Sequence, residues 1–152
     1  MDMKNIRFTK KGFDALKKAY EDLKNSRPSA VLDLKRARDM GDLSENGYYK
    51  AAKFKLTDID RNLRKFLFEL KSADVVKESN LDQVGIGRTV KLSDGAKESV
   101  FQIVGDLEAD PTQKKISLLS PLGQALEGKK AGDKAEITTP KGKFSYKIIK
   151  IS

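Results

Sequence analysis

The chain has 152 residues, of which 35% are charged and 38% hydrophobic; its formal net charge is +9, and it contains neither cysteine nor histidine. That length admits one or two small domains with a modest core. The missing residue types exclude disulfides, thiol nucleophiles, imidazole bases and the usual zinc sites, so any metal must be a hard cation held by carboxylates and water. No apolar run approaches the roughly 18 residues that span a bilayer, and residues 1–11 lack the apolar centre of a signal peptide. A cytoplasmic protein with no membrane attachment is expected. Most of the positive excess lies before position 79, which suggests a polyanionic partner along that region, although a solvated Lys-rich helix face is the commoner meaning of such charge.

Thr9 reads as a helix N-cap. Beyond it Phe13, Leu16, Tyr20, Leu23, Ala30, Leu34 and Ala37 recur at alternating steps of three and four, with Arg27 as one polar interruption. This is an a/d seam. Pro28 lacks an N–H and crowds the preceding turn, so a kink is expected there, or a restart capped by Ser26. The helix is expected to reach Met40, with Gly41 just past its end.

A second seam follows at Tyr49, Ala52, Leu56, Ile59, Leu63, Phe66, Leu70 and Ala73. Two seams joined by a short link fold back on each other, giving an antiparallel coiled-coil hairpin about 40 to 45 Å long. Asp42 and Glu45 lie in the link, three apart and therefore on one side of it. Two compatible readings stay open. Asp42 as N-cap with Glu45 at the third helical position is a capping-box variant, which spacing alone favours, and the same two acids are a pair of positioned ligands. Leu43, at the apex, has nothing in its own chain to pack on and suits contact with a partner. Gly47 is expected one turn into the second helix, at a cost of about 1 kcal/mol relative to alanine. Lys50, Lys53, Lys55, Arg61, Arg64 and Lys65 fall off the seam, as do Tyr48, Phe54 and Phe68. Cations beside exposed aromatics suit a single nucleic-acid strand, while Phe54 and Phe68 equally suit packing on the C-terminal half or on a second copy.

Periodicity lapses after residue 73, and residues 77–83 read as a linker between an N-terminal domain, 1–76, and a C-terminal domain, 84–152. The latter has strand grammar at 88–93, 99–105, 115–119, 133–139 and 143–151, with turns at Asp94-Gly95 and Pro140-Lys141-Gly142. Residues 121–128 form the one expected helix there, capped by Ser120 with Pro121 at its first position. The fold class is therefore α+β: a helical hairpin, then a small antiparallel sheet with one short helix. Nothing in this half has catalytic spacing. Its aromatics, Phe101, Phe144 and Tyr146, look too sparse for an apolar pocket that would hold a proline peptide.

Without histidine, two exposed carboxylates hold Mg²⁺ only weakly, because the ion wants six oxygens and keeps its waters. They make chemical sense where a partner supplies the rest of the shell. Inserted into another protein's metal site, Asp42 and Glu45 would help hold a second Mg²⁺ and orient water for attack on a phosphodiester.

The segment Gly41-Asp42-Leu43-Ser44-Glu45-Asn46, followed by Tyr49 and Ala51-Ala52-Lys53, resembles the tip motif of the Gre transcript cleavage factors (GreA/GreB) of bacterial RNA polymerase. The resemblance extends over nearly the whole chain, through Thr9-Lys10-Lys11-Gly12-Phe13, Arg27-Pro28, Val84-Gly85-Ile86-Gly87, Ser120-Pro121-Leu122-Gly123 and Gly128-Lys129-Lys130-Ala131-Gly132-Asp133. It implies an accessory factor and not an autonomous enzyme. The coiled coil would enter the polymerase secondary channel, where Asp42 and Glu45 would support the polymerase's own Mg²⁺-dependent cleavage of backtracked nascent RNA, sharing that Mg²⁺. Leu43, Ser44 and Asn46 would be tip contacts, and Arg36, Arg38, Lys50 and Lys53 would face RNA. An FKBP-like C-terminal domain would dock on the polymerase through Ser120 and Pro121. The free protein is expected as a monomer, with self-association through Phe54 and Phe68 as the alternative.

The chain departs from the family pattern at Gly47-Tyr48-Tyr49, where an alanine and an acid are usual, at the basic and apolar Phe54-Lys55-Leu56, and at Leu119, where a polar or acidic residue is common. Two other functions remain open: a channel regulator that inhibits instead of stimulating, and an FKBP-like peptidyl-prolyl isomerase with a coiled-coil arm.

Overall fold

The computed structural model describes residues 5–41, 46–77 and 82–152. It divides into two compact units, one comprising Asp14–Ser72 and the other the described residues of Met1–Phe13 and Ala73–Ser152.

The first unit is the helical hairpin. Helix α1 (Lys10–Arg38) and helix α2 (Gly47–Lys71) are about 43 and 38 Å long at 1.5 Å per residue. Along α1 the less exposed positions include Phe13, Leu16, Tyr20, Leu23, Ala30, Leu34 and Ala37; along α2 they include Tyr49, Ala52, Leu56, Ile59, Leu63, Phe66 and Leu70. The two seams therefore sit where the periodicity put them, except that Ala73, expected to close the second, lies past the end of α2 in a short strand. Among the described residues of this unit only Ala30, Ala37 and Ile59 are fully buried apolar residues, because two helices alone cannot enclose a seam. Arg27, the polar interruption, is matched across the hairpin by Asp60, with Nε 2.6 Å from Oδ1 and Nη2 3.2 Å from Oδ2.

Three local expectations need correction or shortening. Helix α1 runs through Pro28 without a restart, and Ser26 does not cap a new helix; its hydroxyl donates to the Leu23 carbonyl at 2.6 Å. Helix α1 ends at Arg38, with turns to Met40, and Gly41 follows at φ +112°. Gly47 opens α2 instead of lying one turn inside it, so its helix-interior penalty largely disappears.

In the second unit, α1 starts from a fixed point. The Thr9 hydroxyl accepts from Gly12 N–H at 3.0 Å, the expected cap. The Glu108 carboxylate accepts from Thr9 N–H at 2.9 Å, Thr9 Oγ1 at 2.5 Å and Gly105 N–H at 2.8 Å. Just before Thr9, strand β1 (Ile6–Phe8) pairs in parallel with β2 (Ala73–Val75); neither strand was anticipated. Both are three residues long, too short to show an alternation. Arg7 is held by Asp106, which accepts from its backbone N–H at 2.8 Å and its Nε at 3.1 Å.

The remaining strands are β3 (Thr89–Ser93), β4 (Glu98–Val104), β5 (Lys115–Ser117), β6 (Lys134–Thr139) and β7 (Gly142–Ile151), ordered β5-β4-β3-β7-β6. Helix α3 (Pro121–Leu126) packs against β5 and β6. The sheet is mixed, not purely antiparallel: β5 runs parallel to β4. Residues 105–114 are pinned to β1 through Asp106 and to Thr9 through Glu108, so the chain returns to β4 by a longer path than a hairpin. Strands β3 and β4 are joined at the expected Asp94-Gly95 turn, where Asp94 accepts from Ala96 and Lys97 N–H at 2.9 and 2.7 Å. Those bonds hold its carboxyl below the usual carboxylate range, the Lys97 backbone bond first. The core lies on one sheet face: Val84, Ile86, Val90, Leu92, Ile103, Leu118, Leu126, Ala135 and Ile148.

Candidate functional site

The link carrying the two acids leaves α1 at Arg38 and enters α2 at Asn46. Asp42, Leu43, Ser44 and Glu45 lie outside the described residues; their frame is the end of α1 and the start of α2. Asn46 is the N-cap of α2, in extended backbone at φ −80° and ψ 100°. Its side-chain oxygen accepts from Tyr48 N–H at 3.0 Å and Tyr49 N–H at 3.2 Å, while its Nδ2 donates to the Ala37 carbonyl at 3.3 Å. One amide thus caps the incoming helix and ties it to the last turn of the outgoing one.

This overturns the capping-box reading of the acids. Asp42 is not the N-cap of α2, because Asn46 holds that position and Gly47 is the first helical residue. Asparagine is among the strongest N-cap residues, and the clue in the sequence was Asn46 standing just before the seam that begins at Tyr49. The Asp42-x-x-Glu45 spacing competed with it and is not used for that purpose. Asn46, expected as a tip contact, has its side chain engaged within the hairpin.

Arg36, Arg38, Lys50 and Lys53 are all exposed and lie within about three turns of the link on the two helices. A shallow depression beside them is bordered by Ala30, Asp33, Tyr48, Ala51, Ala52 and Lys55. Phe54 is 70% and Phe68 58% exposed. At 14 residues apart they fall on one helical face, together with Lys50, Arg61, Arg64 and Lys71, all exposed. Arg61 is paired with Asp58 on the same helix.

The donor chemistry for a metal is restricted. Among the described residues no three acidic groups gather as a metal site; the pair Asp42 and Glu45 expected to meet a hard cation lies outside them. Two carboxylates fit a fraction of an octahedral Mg²⁺ shell and leave most of it to other oxygens.

On the sheet unit, Ser120 caps α3: its Oγ accepts from Gly123 N–H at 3.0 Å and donates to the Ser117 carbonyl at 2.7 Å. Ser120 and Pro121 also border a largely apolar groove whose other walls include Leu122, Ile137, Phe144 and Tyr146. Two of the three aromatics of this half, Phe144 and Tyr146, line the groove, placed there because Ile137↔Phe144 and Ala135↔Tyr146 are direct cross-strand partners. Periodicity could not reveal this without the β6–β7 register. Leu119, beside the groove, is 57% exposed.

Two family models match the chain. One, described as transcription elongation factor, N-terminal, covers residues 6–75; the other, transcription elongation factor, GreA/GreB, C-term, covers residues 78–152. A transcription elongation factor GreA of Orientia tsutsugamushi (strain Ikeda) is 42% identical, covering 98% of this chain and 97% of that protein. Another, of Hyphomonas neptunium, is 40% identical, covering 98% of each. A solved structure of GreA factor homolog 1 of Thermus thermophilus aligns over 98% of this chain and 99% of that one, at 27% identity and a TM-score of 0.47.

Proposed function

Because the chain belongs to the GreA/GreB family of transcription elongation factors, we propose that it stimulates the transcript-cleavage activity of a bacterial RNA polymerase, as an accessory factor and not an enzyme by itself. The helical hairpin enters the polymerase secondary channel, bringing Asp42 and Glu45 to the polymerase active site. The observation that supports this reading is at the hairpin end: Asn46 provides the α2 cap and a tie to Ala37. The α2 cap is thus made by a residue other than the two acids, which leaves their carboxylates for the role proposed here.

Mg²⁺ held jointly with the polymerase supplies charge stabilisation and an activated water for phosphodiester hydrolysis. The chain's own part is positional. Asp42 and Glu45 add anionic oxygen ligands, and the Asn46 clasp ties the start of α2 to the last turn of α1 beside them. Arg36, Arg38, Lys50 and Lys53 attract the backtracked RNA, and Leu43 and Ser44 contact the channel wall. On the second unit, Ser120, Pro121 and the apolar groove beside them form the docking surface on the polymerase, with exposed Leu119 strengthening an apolar contact. The protein acts in the cytoplasm as a monomer.

The test is RNA shortening from the 3′ end in backtracked elongation complexes. Asp42→Asn with Glu45→Gln is expected to lower the stimulated cleavage rate by about 100-fold or more, with unchanged thermal unfolding. Cleavage equal to that of the parent would overturn the role of the acids. A parent protein that slows intrinsic cleavage would identify an inhibitory regulator instead.

A further inference from the structure

The face of the five-stranded sheet opposite the core has a charge pattern that folding alone does not favour. Direct cross-strand partners share a face. The register therefore puts Lys134 opposite Lys147 and Lys91 opposite Lys150 on this outer face, in adjoining rows. Like charges directly opposite destabilise a sheet, and here two such pairs stand side by side. Glu98 offsets one of the four, lying 3.0 Å from Lys91 Nζ, and Glu136, opposite Ser145, shares the face one step along from Lys134 without a salt bridge to the four lysines. Among the described residues no carboxylate pairs with Lys134, Lys147 or Lys150, and all three are exposed. Strands about 4.8 Å apart and same-face steps of about 6.7 Å gather the four ammonium groups into one patch. The β7 irregularity opposite Lys91/Leu92 brings Ile149 and Lys150 out together, both exposed.

We propose that this sheet face binds the phosphate backbone of double-stranded DNA without regard to sequence. The inference is independent of the hairpin and of the polymerase reading. Charge complementarity calls for a polyanion, and the side chains narrow the class. Every cation in the patch is lysine, a flexible point charge suited to phosphate contact and lacking the fork that reads base edges. The exposed apolar residues among them, Val100 and Ile149, are aliphatic, so the face offers no ring on which the bases of a single strand would stack. A duplex presents phosphates from both strands at high density and needs no stacking platform.

Fluorescence anisotropy of the full-length protein with a labelled random-sequence 30-base-pair duplex, in the absence of polymerase, tests this. The parent is expected to bind with a plot of log K against log salt that falls with a slope of about −3 to −4, near −0.9 per neutralised phosphate. Lys134→Gln/Lys147→Gln/Lys150→Gln is expected to weaken binding at least about tenfold and to flatten that slope by about two to three units. The same charge change on the hairpin, Lys18→Gln/Lys24→Gln/Lys35→Gln, is expected to leave most of the binding intact. Thermal unfolding of the sheet-face variant should occur at or above the parent's temperature, since repulsion is relieved; this separates lost binding from lost structure. The proposal is overturned if the two triple variants bind alike, if a single strand of the same length binds more tightly than the duplex, or if the parent prefers phosphatidylglycerol vesicles to duplex. Absent duplex binding with intact transcript cleavage would remove this inference alone, whereas duplex binding without cleavage would remove only the polymerase reading.

Discussion

The hairpin and the sheet-bearing unit are held together by different physics. In the sheet unit nine residues form a buried apolar cluster, with Val90, Ile103, Leu126, Ala135 and Ile148 at 0% exposure. In the hairpin most seam residues stay half-buried, and fixed points come from polar contacts: Arg27 with Asp60 midway and Asn46 with Ala37 near the link. Stability by close packing is strong and intolerant of small changes in volume, whereas a two-helix seam with polar clasps is weaker and gives way locally. At the end of the hairpin the Asn46 side chain supplies such a clasp, joining the first turn of α2 to the last turn of α1.

The sharpest way to break this contrast is in the sheet unit. A Cβ at Gly123 would fall on the Ser117 carbonyl oxygen, and that at Gly105 would meet the Arg7 carbonyl at 2.5 Å. Since backbone is what must yield, Gly123→Ala is expected to cost about 3 kcal/mol in denaturant unfolding. Leu92→Ala, at a site 1% exposed, should cost about 3 to 4 kcal/mol, against about 1 to 2 for Leu56→Ala on the half-buried hairpin seam. Equal losses at the two leucines would mean that the units do not differ as described.

A smaller effect is expected at the clasp. Asn46→Ala removes an N-cap and the bond to Ala37, costing about 1 kcal/mol, and should lower stimulated cleavage more than it lowers global stability. Hydrogen exchange at Tyr48 and Tyr49 checks the structural half, because their amides are the ones that Asn46 accepts from. If cleavage survives while those amides open, the clasp does not position the acids.

The smallest effect belongs to the exposed pair in mid-hairpin. Its hydrogen bond to Arg27 is the main cause that lowers the Asp60 carboxyl from its ordinary range. A depressed folded value means that the contribution is present above the ordinary aspartate pKa near 3.9 and is lost as pH falls through the lower folded value. Asp60→Asn should therefore slightly reduce the hairpin's melting temperature at pH 7 and leave it less sensitive to acid than the parent. A variant with the parent's acid profile would assign no weight to the pair.

Much of the architecture was legible because it rests on short-range rules. The a/d seams appear where burial is found, the Thr9 and Ser120 caps hold, and the five sheet strands and α3 occur where alternation and turn residues put them. The misses share one cause. A kink at Pro28 or a restart capped by Ser26 is the local expectation; the restart does not occur, since interhelical packing outweighs one missing hydrogen bond. The strands β1 and β2 carry no periodic signal and exist because each supplies the other's backbone partners, with Asp106 and Glu108 anchoring the first from far along the chain.

At the site, the sequence identified the acids as a pair but credited them with a cap that Asn46 makes. Both residues satisfied the same local rule, and only the actual start of α2 separates them. By itself the sequence determined which residues could face inward, since side-chain period follows from backbone geometry and needs no partner. The tertiary structure alone decided which strands adjoin: the parallel β4–β5 pair, the groove where Phe144 and Tyr146 meet, and the lysines set opposite one another. Those depend on contacts between residues distant in sequence, and no local pattern encodes their register.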